Sequence, residues 1–204
     1  MYNYTPWVDD EMMTENEKKV LRMLFASLGE PSSINHIARE CGIAPNGAFK
    51  ILKKFEKDGI LKVKDIANIK AYSLNFENEM TKSVLKLALV SELSSRLKYR
   101  FEDLKALKDI VEVCVIFGSY ATSKENPNDL DVLFIFDAKN FNKFKQKSER
   151  VFMTIPIKVH DVIQTEEDFA RNLRANKISY EILKKGVVLW GYDTLIKIVE
   201  HEYR

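Results

Sequence analysis

The chain has 204 residues, of which 46% are hydrophobic, so it is long and apolar enough to form ordered cores. With 32 Lys and Arg against 30 Asp and Glu, the net charge of +2 excludes a uniformly polycationic nucleic-acid binder. The beginning, MYNYTPWVDDEMMTENEKK, has no apolar segment of signal-peptide length, and no run reaches the roughly 18 apolar residues of a membrane span. We therefore expect a cytoplasmic protein with no membrane partner.

Three helices are predicted in the first part of the chain. Residues 15–28 carry apolar side chains at helical spacing and end at GEPSS. A short helix over 34–41, a tight turn at Gly42 and a second helix over about 46–58 follow. Apolar residues of these last two helices, Phe49 among them, are expected to form the seam between them.

The segment ILKVKDIANIKAYSLN alternates apolar and polar residues on both sides of Ala67-Asn68, which predicts a small β-hairpin. Three helices followed by a hairpin resemble the winged helix-turn-helix class over roughly the first 75 residues. The resemblance implies that the second helix of the motif enters the major groove of DNA. From Pro45 to Lys64, 6 lysines against 2 acids leave a local charge of +4.

DNA is therefore an expected partner of the first unit. Asn46 and Lys50 are predicted near bases, and the other lysines near phosphates. Since this helix lacks arginine, modest base specificity is expected. The alternatives are a solvated helix face and a protein-docking module. The predicted DNA-binding residues are Asn46, Lys50, Lys53, Lys54, Lys57, Lys64 and, in the wing, Lys70.

A long helical stretch over about 79–108 repeats leucines every three or four residues, as one helix or as two. Its simplest role is to carry core contacts of a second unit, and a homodimer seam is the alternative. We therefore divide the chain into a winged helix-turn-helix domain, 1–77, and a second domain, 78–204.

Strands and helices mix in the second unit, which predicts an α+β domain. Near-continuous apolar runs at 111–117 and 130–136 indicate buried strands, and IPIKVHDVI indicates a third. A helix containing Phe141, Phe144 and Val151 lies between the last two. Helices over about 166–173 and 179–185, a strand over 187–190 and a final helix from Tyr192 complete the unit.

Two acids, Asp129 and Asp131, stand where the second strand begins. Two residues apart on a strand, their side chains project from the same face. Like charges so close repel unless a cation lies between them, and hard oxygen ligands suit Mg²⁺ or Mn²⁺ together with a phosphate. Gly118 and Ser119, at the end of the preceding strand, are candidate phosphate holders because glycine lets backbone N–H groups approach an anion.

The motif VIFGSYA is followed by DLDVLFIF, with nine residues between Ser119 and Asp129. This order and spacing resemble the minimal nucleotidyltransferases of the DNA polymerase β superfamily over about 111–190. The resemblance implies a mixed β-sheet flanked by helices, with the two acids binding catalytic metals. A third acid on a neighbouring strand corresponds to Asp161 in KVHDVI. Many relatives carry Arg-Gly after the Gly-Ser-x-Ala motif, where this chain has Thr122-Ser123, and often serine at Asn128.

The resemblance implies a Mg²⁺-dependent transfer of a nucleoside monophosphate from a nucleoside triphosphate to a hydroxyl acceptor, with ATP as the expected donor. A protein, an RNA end and a small molecule are all open as acceptors. The implied catalytic and metal-binding residues are Asp129, Asp131 and Asp161, with Gly118 and Ser119 on the nucleotide. The alternative is a transcriptional regulator whose second domain senses nucleotide without chemistry.

Overall fold

An α+β fold with two separate sheets is formed by residues 13–91, 93–122, 127–175 and 177–203, which the computed structural model describes. This confirms the predicted fold class. Within those ranges, no helix combines the length and the apolar character needed to cross a membrane.

The first three helices lie close to their predicted positions. They are α1 (Glu15–Ala26), α2 (Ile34–Cys41) and α3 (Pro45–Lys57). Thr14 caps α1 in a reciprocal capping box with Glu17, which explains why that helix begins there. The turn after α2 passes through Gly42 at φ 65°, a left-handed angle that glycine adopts without strain.

A small antiparallel sheet completes the winged helix. Its strands are β1 (Ser32–Ser33), β2 (Leu61–Ile66) and β3 (Ile69–Leu74), in the order β1-β3-β2. Ala67 and Asn68 connect β2 to β3 with φ angles of 47° and 67°. Two consecutive left-handed residues give a hairpin turn whose twist matches that of its strands. The predicted hairpin is confirmed.

The long helical stretch is two helices. They are α4 (Met80–Leu89) and α5 (Ser95–Leu104), and a short 3-10 turn over Lys105–Leu107 extends the second. The Ser94 hydroxyl accepts a hydrogen bond from the Leu97 backbone N–H, so α5 has its own N-cap.

The second sheet is mixed. Its strands are β4 (Val113–Phe117), β5 (Asp129–Ile135), β6 (Lys158–Gln164) and β7 (Val187–Trp190), in the order β6-β5-β4-β7. The β5–β6 pair is parallel, and β4 is antiparallel to both of its neighbours. The flanking helices are α6 (Gly118–Thr122), α7 (Phe141–Phe152), α8 (Glu166–Ala175), α9 (Lys177–Lys185) and α10 (Tyr192–Glu202). Helix α7 makes the crossover between β5 and β6 that a parallel pair requires.

One apolar core runs from α1 into the second sheet. Buried Val20 and Leu24 belong to the same cluster as Leu183 and Val188. The second cluster fills the other face of the sheet, under α5 and α7. The division between residues 77 and 78 stays a prediction, since the apolar contacts continue across it.

The predicted helix seam is wrong at one position. Phe49 is 43% exposed rather than packed between α2 and α3. The buried face of α3 is formed by Ala48, Leu52 and Phe55. Because successive helical residues are about 100° apart, a seam centred on Ala48 turns Phe49 outward.

Candidate active site and nucleic-acid interface

The turn after β4 places a glycine against an acid of β5. Gly118 has φ +68°, and a Cβ built there would lie 2.2 Å from Asp131 Oδ2. Any larger residue would therefore displace the carboxylate as well as strain the turn. Gly118 and Ser119 are both exposed, so a ligand can approach this turn from solvent.

The acid pair lies on one face of β5. Asp129 and Asp131 flank buried Leu130, and their side chains are 42% and 27% exposed. In the antiparallel register Phe117 pairs with Asp131, so the end of β4 meets the start of β5. The structure thus brings Gly118, Ser119 and the two acids to one end of the sheet.

The edge strand β6 adds a histidine to this site. His160 pairs with Asp131 in the parallel register. Its Nδ1 lies 3.8 Å from Asp129 Oδ2 and 3.5 Å from Asp131 Oδ1. Asp161 instead pairs with Val132, which faces the opposite side of the sheet. The structure therefore does not bring the predicted third acid to the other two.

The acid pair offers oxygen donors but no complete set of ligands. Within the four described ranges, no group of three or more histidine, cysteine or carboxylate side chains is already arranged to hold a metal ion. Two carboxylates nevertheless fit Mg²⁺, which usually takes one or two of them and completes its shell with phosphate and water. Ser123 of the Thr122-Ser123 departure lies outside the described residues.

Helix α5 brings a positive charge to the Gly-Ser turn, a feature that sequence reasoning missed. An Arg96 Nη donates a hydrogen bond to the Tyr120 carbonyl oxygen at 2.9 Å. The Arg96 guanidinium also stacks on the Tyr120 ring, 4.7 Å from its centroid. No sequence motif connects residues so far apart, and only the packing of α5 against α6 shows the pair.

The two cysteines show no sign of nucleophilic chemistry. Cys41 and Cys114 are buried and not joined in a disulfide. Burial raises the pKa of the Cys41 thiol to about 11 and that of Cys114 well above its usual value. Both thiols therefore stay protonated near neutral pH and behave as small apolar side chains.

The predicted DNA-binding helix presents a polar stripe. Asn46, Lys50, Lys53 and Lys57 recur at the spacing of one face of α3. Asn46, Lys50 and Lys57 are exposed, and among described residues no ion pair engages the two lysines. Lys53 is paired with Glu56 at 2.7 Å. This stripe is the part of the predicted interface that is open to a partner.

Lys54 has a partner inside the winged helix. Its Nζ lies 2.6 Å from Glu17 Oε1, and the Glu17 side chain is only 8% exposed. Burial by itself would raise the pKa of Glu17, but hydrogen bonds from Lys54 and Thr14 outweigh it and hold the pKa below its usual value. Lys54 thus neutralises a buried carboxylate of α1.

The two wing lysines lie on opposite faces of the hairpin. Lys70 pairs with Asp65, whereas Lys64 pairs with Ala71. Ala71 lines a groove of about 960 Å³ between the wing and α8–α9, together with Ile66, Ile69 and Tyr180. Lys64 shares that face of the hairpin, so one flat duplex surface cannot meet both lysines through the same side of the wing.

Residues 101–195 match the family model described as Polymerase beta, Nucleotidyltransferase. The match begins in α5 and contains the Gly-Ser turn, the acid pair and His160, and it leaves out the winged helix. No curated protein matches the chain.

Solved structures with similarity to the chain include two mutants of ZitR from Lactococcus lactis. The first is 25% identical over 42% of this chain and 57% of that chain, with a TM-score of 0.31. The second is 19% identical over 52% of this chain and 65% of that chain, with a TM-score of 0.30. The chain therefore spans less than two thirds of the length of either ZitR structure, and TM-scores this low carry no argument about the fold.

Proposed function

We propose that the second unit is a nucleotidyltransferase that moves a nucleoside monophosphate from a nucleoside triphosphate to a hydroxyl acceptor on a protein, an RNA or a small molecule. ATP is the expected donor. The observation that carries the proposal is the close approach of Gly118 to Asp131. It supports the proposal because a backbone suited to binding phosphate lies directly beside a carboxylate suited to binding a cation. The family match over 101–195 supports the same chemistry.

Each residue of the site has a defined task in this proposal. The backbone N–H groups at Gly118 and Ser119 donate hydrogen bonds to phosphate oxygens, and Arg96 adds positive charge behind that turn. Asp129 and Asp131 would hold Mg²⁺ or Mn²⁺ from the same face of β5. When bound, the ion would supply positive charge to neutralise the negative charge that develops on the transferred and departing phosphates. Catalysis of this kind depends on placement more than on proton transfer.

We further propose that the winged helix binds DNA through the exposed stripe of α3. Exposed lysines that neutralise phosphates give affinity that falls steeply with salt and depends little on sequence. Lys70, on the wing face that also carries Val63 and Tyr72, continues this surface, whereas Lys54 is engaged with Glu17. The proposed DNA contacts therefore centre on Asn46, Lys50, Lys53, Lys57 and Lys70.

A regulator that binds nucleotide without turnover is the second candidate. The specific observation in its favour is the position of Asp161, which the register turns away from the acid pair. A site with two acids can still hold a cation with a triphosphate, while the acceptor hydroxyl lacks a carboxylate to position it. Binding and turnover therefore have to be measured separately.

The deciding experiment follows pyrophosphate release and transfer of α-phosphate label from each nucleoside triphosphate, with Mg²⁺ or Mn²⁺, into total RNA, cell protein or small molecules. The double change Asp129→Asn and Asp131→Asn should reduce both signals by at least about 100-fold. Asp193→Asn is the matched control, since that acid is 80% exposed on α10. Equal release by wild type and double variant would refute the enzyme. Retained binding of a fluorescent ATP analogue would then favour the regulator.

A further inference from the structure

An imidazole lies close to both candidate metal-binding acids. The parallel pairing of β5 and β6 sets this, because residues paired across a ladder point to the same face. Asp131 pairs with His160 and Val132 with Asp161. The two residues of the His-Asp dipeptide consequently serve opposite faces of the sheet.

Burial along β6 agrees with this assignment. Val162, two residues after His160, packs against the core cluster that contains Leu133, on the acid face. Val159 and Ile163, two residues to either side of Asp161, pack against the other cluster. Both apolar sets would have to leave their cores for Asp161 to reach the acids, so the register is fixed from both sides.

The three side chains also share access to solvent. His160 is 43% exposed, and Asp129 and Asp131 are 42% and 27% exposed. The Nδ1 atom of His160 lies within 3.8 Å of a carboxylate oxygen of each acid. Without a cation the two carboxylates repel one another, and a bound ion removes that repulsion. Within the described ranges no three such side chains are already arranged as a ligand set, so an ion arriving from solvent would have to draw these two oxygens and one nitrogen together.

We propose that His160, rather than Asp161, is the third protein ligand of a divalent ion at Asp129 and Asp131, and that it shifts the site's preference away from Mg²⁺ toward Zn²⁺ or Co²⁺. Imidazole nitrogen suits these borderline ions, whereas Mg²⁺ takes oxygen ligands. A set of one histidine and two carboxylates is also within the range that zinc accepts. This inference rests on the metal site of the proposed nucleotidyltransferase.

Imidazole NMR tests the ligation directly, without any catalytic readout. The chain has 3 histidines, so His36 and His201 serve as internal controls in the intact protein. Titration with Zn²⁺ should change the ¹⁵N shifts of His160 at one equivalent and leave the other two unchanged. The change should disappear in Asp129→Asn/Asp131→Asn. Shifts confined to His36 or His201 would overturn the inference.

Calorimetric titration of four proteins with Zn²⁺ and with Mg²⁺ supplies the second measurement. His160→Ala should weaken Zn²⁺ binding by about tenfold or more, the loss that even an outer partner of a metal ligand causes. His160→Asp should restore relative preference for Mg²⁺, and Asp161→Asn should match wild type. If Asp161→Asn weakens binding instead, Asp161 is the ligand and His160 is not.

The two proposals fail in different ways. Zn²⁺ binding that depends on Asp129 and Asp131 but leaves His160 signals unmoved would end the histidine assignment and leave the metal site of the enzyme standing. If the wild type releases no more pyrophosphate than Asp129→Asn/Asp131→Asn while His160 still binds the ion, nucleotidyl transfer is refuted and a metal-binding site remains.

Discussion

The two candidate sites differ in how the fold holds them. In the second unit a glycine and two acids meet where β4 ends and β5 begins, and sheet register fixes each position. In the first unit the polar stripe of α3 lies on an exposed helix face, where no strand register fixes the positions of its side chains. One substitution should therefore disable the site at the end of the second sheet, whereas the stripe of α3 should lose affinity in small additive steps.

The largest effect is expected from Gly118→Ala. The new methyl would lie 2.2 Å from Asp131 Oδ2 on a backbone at φ +68°, so the acid must move. Displacement of a reacting group by about 1 Å costs on the order of 100-fold in rate, and we expect at least that loss of pyrophosphate release. Gly47→Ala is the control: nothing lies within 4 Å of its added Cβ in α3. It should keep activity and gain about 0.5–1 kcal/mol in stability.

The boundary between the two units is tested by Arg22→Met. The α1 guanidinium donates to the carbonyl oxygens of Lys184, at 3.0 Å, and Gly186. Desolvation lowers the pKa of Arg22 to about 10, which still leaves it charged at neutral pH. Loss of both bonds should lower the free energy of unfolding in urea by about 2–4 kcal/mol. Arg171→Met, at a side chain 75% exposed, should change it by less than about 0.5 kcal/mol.

Separate unfolding transitions in the wild type would contradict the shared core that α1 forms with the second sheet. A single transition that moves to lower urea concentration in Arg22→Met, with its slope unchanged, would support it.

Lys54 has a structural role that the exposed lysines of α3 do not share. Lys54→Ala would leave Glu17, only 8% exposed, without its ion pair and should cost about 1–3 kcal/mol of unfolding free energy at neutral pH. Lys57→Ala, on the exposed face, should cost almost nothing. Equal destabilisation by both variants would contradict the structural role of Lys54.

The same carboxylate has a pH signature. Because the folded pKa of Glu17 is lowered, its stabilisation is present above its unfolded pKa of about 4.3 and is lost as the pH falls through the folded value. Thermal unfolding from pH 7 downward should show a smaller acid-induced loss in Lys54→Ala than in the wild type.

The smallest single effects belong to the stripe of α3. Lys50→Ala and Lys57→Ala should each weaken binding to unrelated DNA duplexes about equally and lower the salt slope by about 1. Lys105→Ala, paired with Glu102 in the second unit, is the matched control. Binding that is absent, or that ignores both salt and these changes, would assign α3 to protein docking instead.

Much of the fold follows from patterns that are local in sequence. Helical spacing before GEPSS predicts α1, alternation around Ala67-Asn68 predicts the wing, and apolar runs predict β4, β5 and β7. The sequence does not decide between one helix and two over α4 and α5, because leucine spacing continues through the break and the Ser94 cap is too weak a signal to separate them.

The site was predictable only as far as it lies within one strand. Asp129 and Asp131 share a face because they are two residues apart, which needs no tertiary information. The choice between His160 and Asp161 depends on the register of β6 against β5, a long-range pairing. The resemblance to the nucleotidyltransferases implies an acid on the neighbouring strand, and Asp161 is the acid that KVHDVI offers. In the same way, the approach of Arg96 to Tyr120 depends on how α5 packs.

The alternation of side chains between the two faces of β6 also has an evolutionary consequence. A shift of one residue along a strand exchanges its two faces. Deletion of one residue in the short connection between α7 and β6 would bring Asp161 opposite Asp131 and send His160 to the other side. Ile163 would then occupy the position of Val162, but His160 would take the place of Val159 and Gln164 that of Ile163, so the second cluster would receive two polar side chains. The packing of β6 thus opposes the single deletion that would exchange the imidazole beside the two acids for a carboxylate, so the side chain opposite Asp131 is set by the core rather than by the site.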